Sequence, residues 1–307
     1  MVTPKLQRRL TVAKVQKTVD LCRAKVQYCA LPGLRHTSLQ PAHREMLEAM
    51  HPRVAELFAC AMALLDILGF EEAVALDGSG ASLNPVAGVM TEPMPPTLTI
   101  AIAGLEPLVP SITAYLLGIM QKANALHPTL GAGLSLELVA TVLFYTQDDP
   151  QATRCNFYQR LNVALRSRIR DNAKPYFGYL RMLLDALRRL TMHNGVVYRG
   201  VAGIDLTAKF PIDKRVRVWE VLSASKQKRV AKLFASHGSK PQQTLLVIET
   251  QAVAYLGPLS LFPSEEECLF APGSAFVAQR TRPSSSVPGR TVIYLTHQAE
   301  DMEQIYQ

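Results

Sequence analysis

Apolar residues recur at helical spacing through the first two thirds of the chain. Between positions 43 and 70 they occur every three or four residues, which predicts an amphipathic helix. The same pattern predicts four further helices, over 111–125, 135–145, 155–169 and 176–190. Ser135 is a suitable N-cap because its hydroxyl can accept from an unpaired backbone N–H group.

After Asn194 the pattern changes to short runs rich in valine, isoleucine and aromatic residues, separated by turn residues. These runs predict strands over 196–198, 216–222, 244–248, 266–270, 275–278 and 292–296. A segment rich in Gly, Ser, Asn and Pro, 76–96, predicts a long loop. Helices precede strands without alternation, which favours an α+β fold with an antiparallel sheet over a doubly wound parallel sheet.

Composition narrows the class of protein. The 307 residues are 48% hydrophobic and 19% charged, which indicates one or two globular domains with a sizeable core. No apolar run is long enough to span a bilayer. The five cysteines are odd in number and widely spaced, and no secretory signal pattern precedes them, so we expect an intracellular, cytoplasmic protein.

The net charge of +8 belongs to one segment. Residues 1–44 contain nine Lys or Arg residues and a single acidic one, Asp20, whereas the rest of the chain is balanced. A nucleic-acid partner is therefore not expected, because basic charge is not spread over the protein. The basic arm is amphipathic, and it is either a helix packed on the body or on a partner, or a mitochondrial targeting segment.

Common cofactor and metal motifs are missing. The sequence has no Walker lysine loop, no G-x-G-x-x-G, no C-x-x-C and no H-E-x-x-H. His36, His43 and His51 can share one helix face, but no cysteine or acidic cluster accompanies them. No metal is expected.

Three consecutive glutamates, Glu265, Glu266 and Glu267, stand at the start of a predicted strand. Alternation along the strand places Glu265 and Glu267 on one face. Two carboxylates in one site raise the proton affinity of at least one of them, unless a cationic ligand lies between them. Taken alone, such a cluster is usually a solvated turn, so its meaning depends on other segments.

Three short motifs stand at the ends of predicted strands, in a fixed order. They are an Arg-Gly pair, a Ser-x-Ser triplet and a Glu-x-Glu triplet: Arg199-Gly200, Ser223-Ala-Ser225 and Glu265-Glu-Glu267. In this order and spacing they resemble the Arg-Ser-Glu class of mono-ADP-ribosyltransferases, the cholera-toxin-like and vertebrate arginine-specific branch. The resemblance covers roughly residues 126–298 and includes the helices that precede the first motif.

The resemblance implies a fold and an activity. The fold is the α+β ADP-ribosyltransferase fold, a helical lobe with a two-sheet antiparallel β core, in residues 126–307, preceded by a mostly helical region, 1–125. The activity is transfer of ADP-ribose from NAD, the co-substrate, to an arginine of a protein substrate, with release of nicotinamide. Two alternatives stay open: an NAD glycohydrolase, in which water replaces arginine, and an inactive module that binds NAD or a protein.

The resemblance also implies roles for individual residues. Arg199 faces the phosphate and ribose of NAD, and Gly200 leaves room for the nicotinamide amide. Ser223 donates a hydrogen bond to Glu267, whose charge stabilises the oxocarbenium-like cation formed as nicotinamide leaves. Glu265 orients the acceptor guanidinium and takes its proton.

Four further positions bear on the resemblance. Asn162 and Arg166, four residues apart on a predicted helix, match residues that approach the dinucleotide, with Arg166 pairing with the pyrophosphate. Ala224 stands where relatives commonly carry threonine, which leaves Ser223 intact. Phe234 is the aromatic residue nearest to the segment expected over the nicotinamide phosphate, and we expect it in the core.

Overall fold

The computed structural model describes residues 84–106, 108–109, 112–130, 133–147, 157–167, 170–236, 242–300 and 305–306. The predictions for the basic arm, the helix over 43–70 and the three histidines lie outside these residues. So do the first part of the predicted loop 76–96 and the segment 237–241.

A helical lobe occupies the first part of the described chain. Its α-helices are α1 (Leu98–Ile102), α2 (Leu116–Leu130), α3 (Leu136–Tyr145), α4 (Phe157–Arg166) and α5 (Phe177–Arg189). α3 begins where the sequence predicts, because the Ser135 hydroxyl accepts from the Leu138 N–H group at 3.3 Å. Every residue of α3 from Leu138 onward is buried, so this helix is the centre of the lobe.

The lobe has one apolar core, which begins before α1 and continues to the sheet. Val86 and Leu98 belong to the same buried cluster as Phe144 and Tyr179, and so does Leu269 of the sheet. Position 125, the predicted end of the N-terminal region, lies within α2. That domain boundary stays a prediction.

Seven strands follow the lobe in the part of the chain that the structure describes. They are β1 (Met192–Ala202), β2 (Arg215–Val218), β3 (Leu222–Ser225), β4 (Gln243–Tyr255), β5 (Glu267–Phe270), β6 (Ser274–Pro283) and β7 (Arg290–Gln298). A helix, α6 (Lys228–Ser236), connects β3 to β4. The strand order is β1-β3-β5-β4-β7-β6-β2, and β1 also pairs with β4, so β1, β3, β5 and β4 close into a small ring. The predicted α+β fold class is confirmed.

Three details of the predicted sheet are wrong. The strands form one connected sheet and not two, because β5 pairs with both β3 and β4. β4 and β7 pair in parallel and not antiparallel. The two strands are not consecutive along the chain, because β5 and β6 lie between them, and β7 runs in the same direction as β4. The strand expected over 216–222 is two strands, because the Val221 backbone hydrogen-bonds to the side chain of Asn162 and not to a neighbouring strand.

Gly200 lies where β1 and α6 approach most closely. A Cβ atom at this position would lie 1.7 Å from the carbonyl oxygen of Ala231 and 2.6 Å from the backbone nitrogen of Ala235. Both atoms belong to the α6 backbone and cannot move independently of the helix. The packing of α6 therefore requires glycine here, whatever the ligand requires.

Gly200→Ala is expected to destabilise the protein by about 1–3 kcal/mol, because α6 must move away from β1 to admit the methyl group. Gly118→Ala is the matched control: Gly118 lies in α2 with nothing within 4 Å of a Cβ atom. Because alanine favours a helix, this change should be neutral or stabilising by up to about 1 kcal/mol. Urea denaturation of both variants measures the free energies of unfolding, and equal values would contradict the packing argument.

Candidate active site

A cleft of about 310 Å³ opens where β1, β3 and β5 meet the helices α3, α4 and α6. Six of the seven site residues predicted from the sequence line it: Asn162, Arg199, Gly200, Ser223, Glu265 and Glu267. The three motifs are far apart in the chain. They meet here because their strands are neighbours in the ring.

The Glu267 carboxylate is held at both of its oxygens. Ser223 Oγ donates to Oε1 at 2.7 Å, which is the hydrogen bond expected from the sequence, and Ser260 Oγ donates to Oε2 at 3.2 Å. Burial raises the pKa of Glu267, and the nearby Glu265 carboxylate adds to this; the two hydroxyl donors and Arg199 oppose it. The outcome is a pKa above the ordinary range in a carboxyl group that is fixed in orientation.

Arg199 links the first motif to the second. Its Nη1 donates to the carbonyl oxygen of Ser223 at 2.7 Å. This contact uses one of the five N–H donors of a guanidinium group. The side chain therefore lines the cleft in an orientation set by β3.

Glu265 reaches the cleft by a route that strand alternation does not predict. β5 begins only at Glu267, and Glu265 ends a 3₁₀ turn that starts at Pro263. Between the two carboxylates, Glu266 has a left-handed backbone, with φ 46° and ψ 52°. Glu265 and Glu267 both line the cleft, as predicted, but the predicted reason is wrong. The two residues do not belong to one strand, because the left-handed Glu266 lies between the 3₁₀ turn and β5.

The end of β3 also holds the turn. Ser225 Oγ donates to the Glu265 carbonyl oxygen at 2.6 Å. Gln227 Nε2 donates to the Glu266 carboxylate at 2.9 Å and to the Ser264 carbonyl oxygen at 3.2 Å. The hydrogen bond from Gln227, followed by attraction to Lys226, lowers the pKa of Glu266. The middle glutamate of the triplet is therefore an anchor of the turn.

Asn162 lines the cleft, but its amide group serves the protein itself. Oδ1 accepts from the Val221 N–H group at 2.9 Å, and Nδ2 donates to the Val221 carbonyl oxygen at 3.2 Å. The Tyr145 hydroxyl, which the sequence analysis missed, donates to the same carbonyl oxygen at 3.2 Å. These contacts hold the segment that enters β3. Contact of Asn162 with a dinucleotide stays a prediction.

Arg166 is the one predicted residue that the structure does not bring to the cleft. Its guanidinium forms an ion pair with Glu220, whose side chain is 3% exposed, and Lys209 Nζ lies 3.8 Å from the same carboxylate. Burial alone would raise the pKa of Glu220, but attraction to Lys209, Arg166 and Arg199 outweighs it and lowers the value to about 2. In this structure Arg166 supports the segment before β3.

Aromatic side chains at the cleft were the least predictable part of the site. Phe234 was expected in the core, and this is wrong: it is 52% exposed and lines the cleft together with Phe262, Tyr158 and Tyr198. α6 buries Ala231 and Ala235 against the sheet, so its larger apolar residues remain outside. An aromatic residue has the same pattern in the sequence whether it faces a core or a cleft.

The chemistry available in the cleft is that of carboxylates, hydroxyls and a guanidinium group. Among the residues that the structure describes, no group of three or more His, Cys, Asp or Glu side chains could hold a metal ion. Cys268 is buried next to Glu267, and burial raises the pKa of its thiol to about 12, which disfavours the thiolate near neutral pH. None of the described helices is both long and apolar enough to cross a membrane.

A family model described as NAD:arginine ADP-ribosyltransferase matches residues 120–302. This chain belongs to that family. The resemblance found in the sequence is thereby confirmed, and NAD is the substrate that the family shares. No curated protein sequence matches the transferase significantly.

Several solved ADP-ribosyltransferases have a similar fold. Vis toxin from Vibrio splendidus is 19% identical, and the match covers 69% of this chain and 90% of that one, with a TM-score of 0.44. HopU1 of Pseudomonas syringae pv. Tomato DC3000 is 19% identical over 75% of this chain and 95% of its own, with a TM-score of 0.47. Exoenzyme S from Pseudomonas aeruginosa, solved with human 14-3-3 protein beta and carba-NAD, is 17% identical over 66% and 90%, with a TM-score of 0.46.

Glu220→Gln is expected to destabilise the transferase by about 3 kcal/mol at pH 7, because Arg166 and Lys209 lose a buried counter-charge. The pKa of Glu220 is lower in the folded protein than its ordinary value of 4.5. The stability it contributes is therefore present above about pH 4.5 and is lost as the pH falls towards about 2. In the Glu220→Gln variant, the free energy of unfolding should therefore fall less between pH 7 and pH 3 than it does in the wild type.

Urea denaturation at pH 7 and at pH 3 measures both effects. Asp185→Asn is the control, since Asp185 pairs with Arg189 on the surface of α5 at 3.0 Å and its loss should cost less than about 1 kcal/mol. A Glu220→Gln variant as stable as this control at pH 7 would contradict the importance of the buried pair.

Proposed function

We propose that this transferase is a protein-arginine mono-ADP-ribosyltransferase. The observation that carries the proposal is the pair of carboxylates, Glu265 and Glu267, which line one cleft but are held by different segments of the chain. Such a site can assign one carboxylate to NAD and the other to an acceptor. The proposed target is an intracellular protein that presents an arginine side chain to the cleft.

Glu267 acts on NAD. The bond between the nicotinamide nitrogen and C1′ of the ribose breaks, and its electron pair leaves with nicotinamide, which departs as a neutral molecule. The Glu267 carboxylate accepts from the ribose 2′-hydroxyl, and its charge stabilises the oxocarbenium-like cation that remains. Ser223 keeps the carboxylate in this orientation through its 2.7 Å hydrogen bond.

Glu265 acts on the acceptor. An arginine guanidinium keeps its proton far above neutral pH, with a pKa of roughly 12.5–13.8, so it is a poor nucleophile in water. Glu265 orients it towards C1′ and takes a proton as the new nitrogen–carbon bond forms. The proton then passes to solvent.

The remaining predicted residues hold NAD or the strand beneath it. Arg199 faces the phosphate and ribose, and Gly200 lets the ligand approach β1. Asn162 reaches the cleft while holding Val221. Arg166 acts at a distance, through its ion pair with Glu220.

Two other functions are separable from this one. An NAD glycohydrolase needs only Glu267 and a water molecule, and Glu265 argues against it because hydrolysis has no need of a second carboxylate. An inactive binding module is disfavoured because Arg199, Ser223 and Glu267 are all present and all line the cleft.

Glu267→Gln is expected to lower the rate of nicotinamide release from NAD by roughly a hundredfold or more, since the neutral amide cannot stabilise the cation. Nicotinamide is quantified by chromatography in the presence of agmatine, a small arginine mimic. A wild-type protein that releases no nicotinamide would contradict the proposed activity and favour the binding module.

Glu265→Gln is expected to retain nicotinamide release and to lose ADP-ribosyl-agmatine, because only the acceptor step needs this carboxylate. Glu249→Gln is the matched control, since Glu249 is an exposed glutamate of β4 that does not line the cleft. This control should form ADP-ribosyl-agmatine at close to the wild-type rate. Release without agmatine labelling by the wild type would favour the glycohydrolase.

A further inference from the structure

Ser260 is the second residue that holds Glu267, and the sequence gives it no motif. It follows the 3₁₀ turn Gly257–Leu259, in the connection between β4 and β5, and it is fully buried. Its hydroxyl donates to Glu267 Oε2 at 3.2 Å and accepts from the Phe262 N–H group at 3.1 Å. Both capacities of the hydroxyl are thus used inside the site.

We propose that Ser260 is a positioning residue for the Glu267 carboxylate. The proposal rests on the proposed function of the cleft. A carboxylate held at a single oxygen can still rotate about its last torsion, whereas donors on both oxygens fix its plane. Ser223 supplies one donor from β3, and Ser260 supplies the other from the segment before β5.

The second donor also changes the charge of the site. The charged and titratable groups near Glu267 are Glu265 on the turn, Arg199 on β1, Tyr145 on α3 and the buried thiol of Cys268, the next residue of β5. Burial raises the pKa of Tyr145, so that group stays neutral, and the charges of Glu265 and Arg199 oppose each other. Hydrogen bonds from the two serines favour the ionised carboxylate, which is the form that stabilises a cation.

Ser260 joins the two carboxylates as well. The Ser260 hydroxyl accepts a hydrogen bond from the Phe262 N–H group, and Phe262 begins the segment that carries Glu265 into the cleft. The neighbouring Leu261 N–H group donates to Thr146 Oγ1 at 3.0 Å, so the base of this segment is tied to the helical lobe. Loss of the Ser260 hydroxyl therefore affects Glu267 directly and the Glu265 turn at its base.

The test is the ionisation of Glu267 in the full-length protein, with and without the hydroxyl. The protein is labelled with ¹³C at the glutamate side-chain carboxyl carbon and titrated by NMR, and the Glu267 signal is assigned by its loss in Glu267→Gln. Ser260→Ala is expected to move the midpoint of this titration to higher pH. Nicotinamide release should fall by roughly tenfold on the acid limb of its pH profile, with little change in KM for NAD.

Ser274→Ala is the matched control. Ser274 is a buried serine on β6 that donates to the Ala271 carbonyl oxygen at 2.7 Å and does not line the cleft. The Ser274→Ala variant also loses a buried hydroxyl oxygen and its hydrogen bond. It should leave the midpoint of the Glu267 titration unchanged. A shift of equal size in both variants would overturn the proposal, because it would reflect a general loosening of the fold.

A second variant covers the case in which Ser260→Ala does not fold. Ser260→Cys is similar in size and its thiol is a weaker donor, so the midpoint should move in the same direction by less. An unchanged midpoint in a folded variant overturns the proposal. If the midpoint moves as expected while the wild type releases no nicotinamide, the role of Ser260 stands and the proposed function of the cleft fails.

Discussion

The structure of the site depends on how the helical lobe holds the short segment before β3. The Val221 backbone is hydrogen-bonded to Asn162 of α4 through both its N–H and its carbonyl group. One residue earlier, Glu220 is buried against Arg166 and Lys209. Because the segment leaves the sheet at this point and re-enters it as β3, these polar contacts fix the position of Ser223 and, through it, of Glu267. A lobe that looks separate from the chemistry therefore sets its geometry.

This dependence explains why charges are buried so close to the cleft. A buried ion pair contributes little net stability by itself, since desolvation offsets much of the attraction. Its geometry is nevertheless strict, because either charge alone in this environment would be costly. The pairing of Glu220 with Arg166 and Lys209 therefore fixes the position of this segment, and loss of Glu220 alone leaves two cations without their buried counter-charge.

The sequence predicts the fold class and the motif residues, because periodicity and motif order are local properties of the chain. It predicts less well what depends on neighbours in space. Strand alternation does not explain how Glu265 reaches the cleft, since a left-handed residue intervenes. Phe234 cannot be told from a core residue until α6 is placed on β1. Ser260 has no local signal at all, because its role follows only from proximity to Glu267.

The closed ring of β1, β3, β5 and β4 has a consequence for how such a protein can change in evolution. Arg199, Ser223 and Glu267 lie 24 and 44 residues apart along the chain, yet they stand on adjacent strands and are connected by two hydrogen bonds. Strand register sets their geometry, for instance the pairing of Ser225 with both Tyr198 and Glu267. Insertions and deletions in the connecting loops can therefore accumulate without moving these three residues relative to one another. Distant relatives should be recognised by register across the ring and not by fixed gaps between motifs.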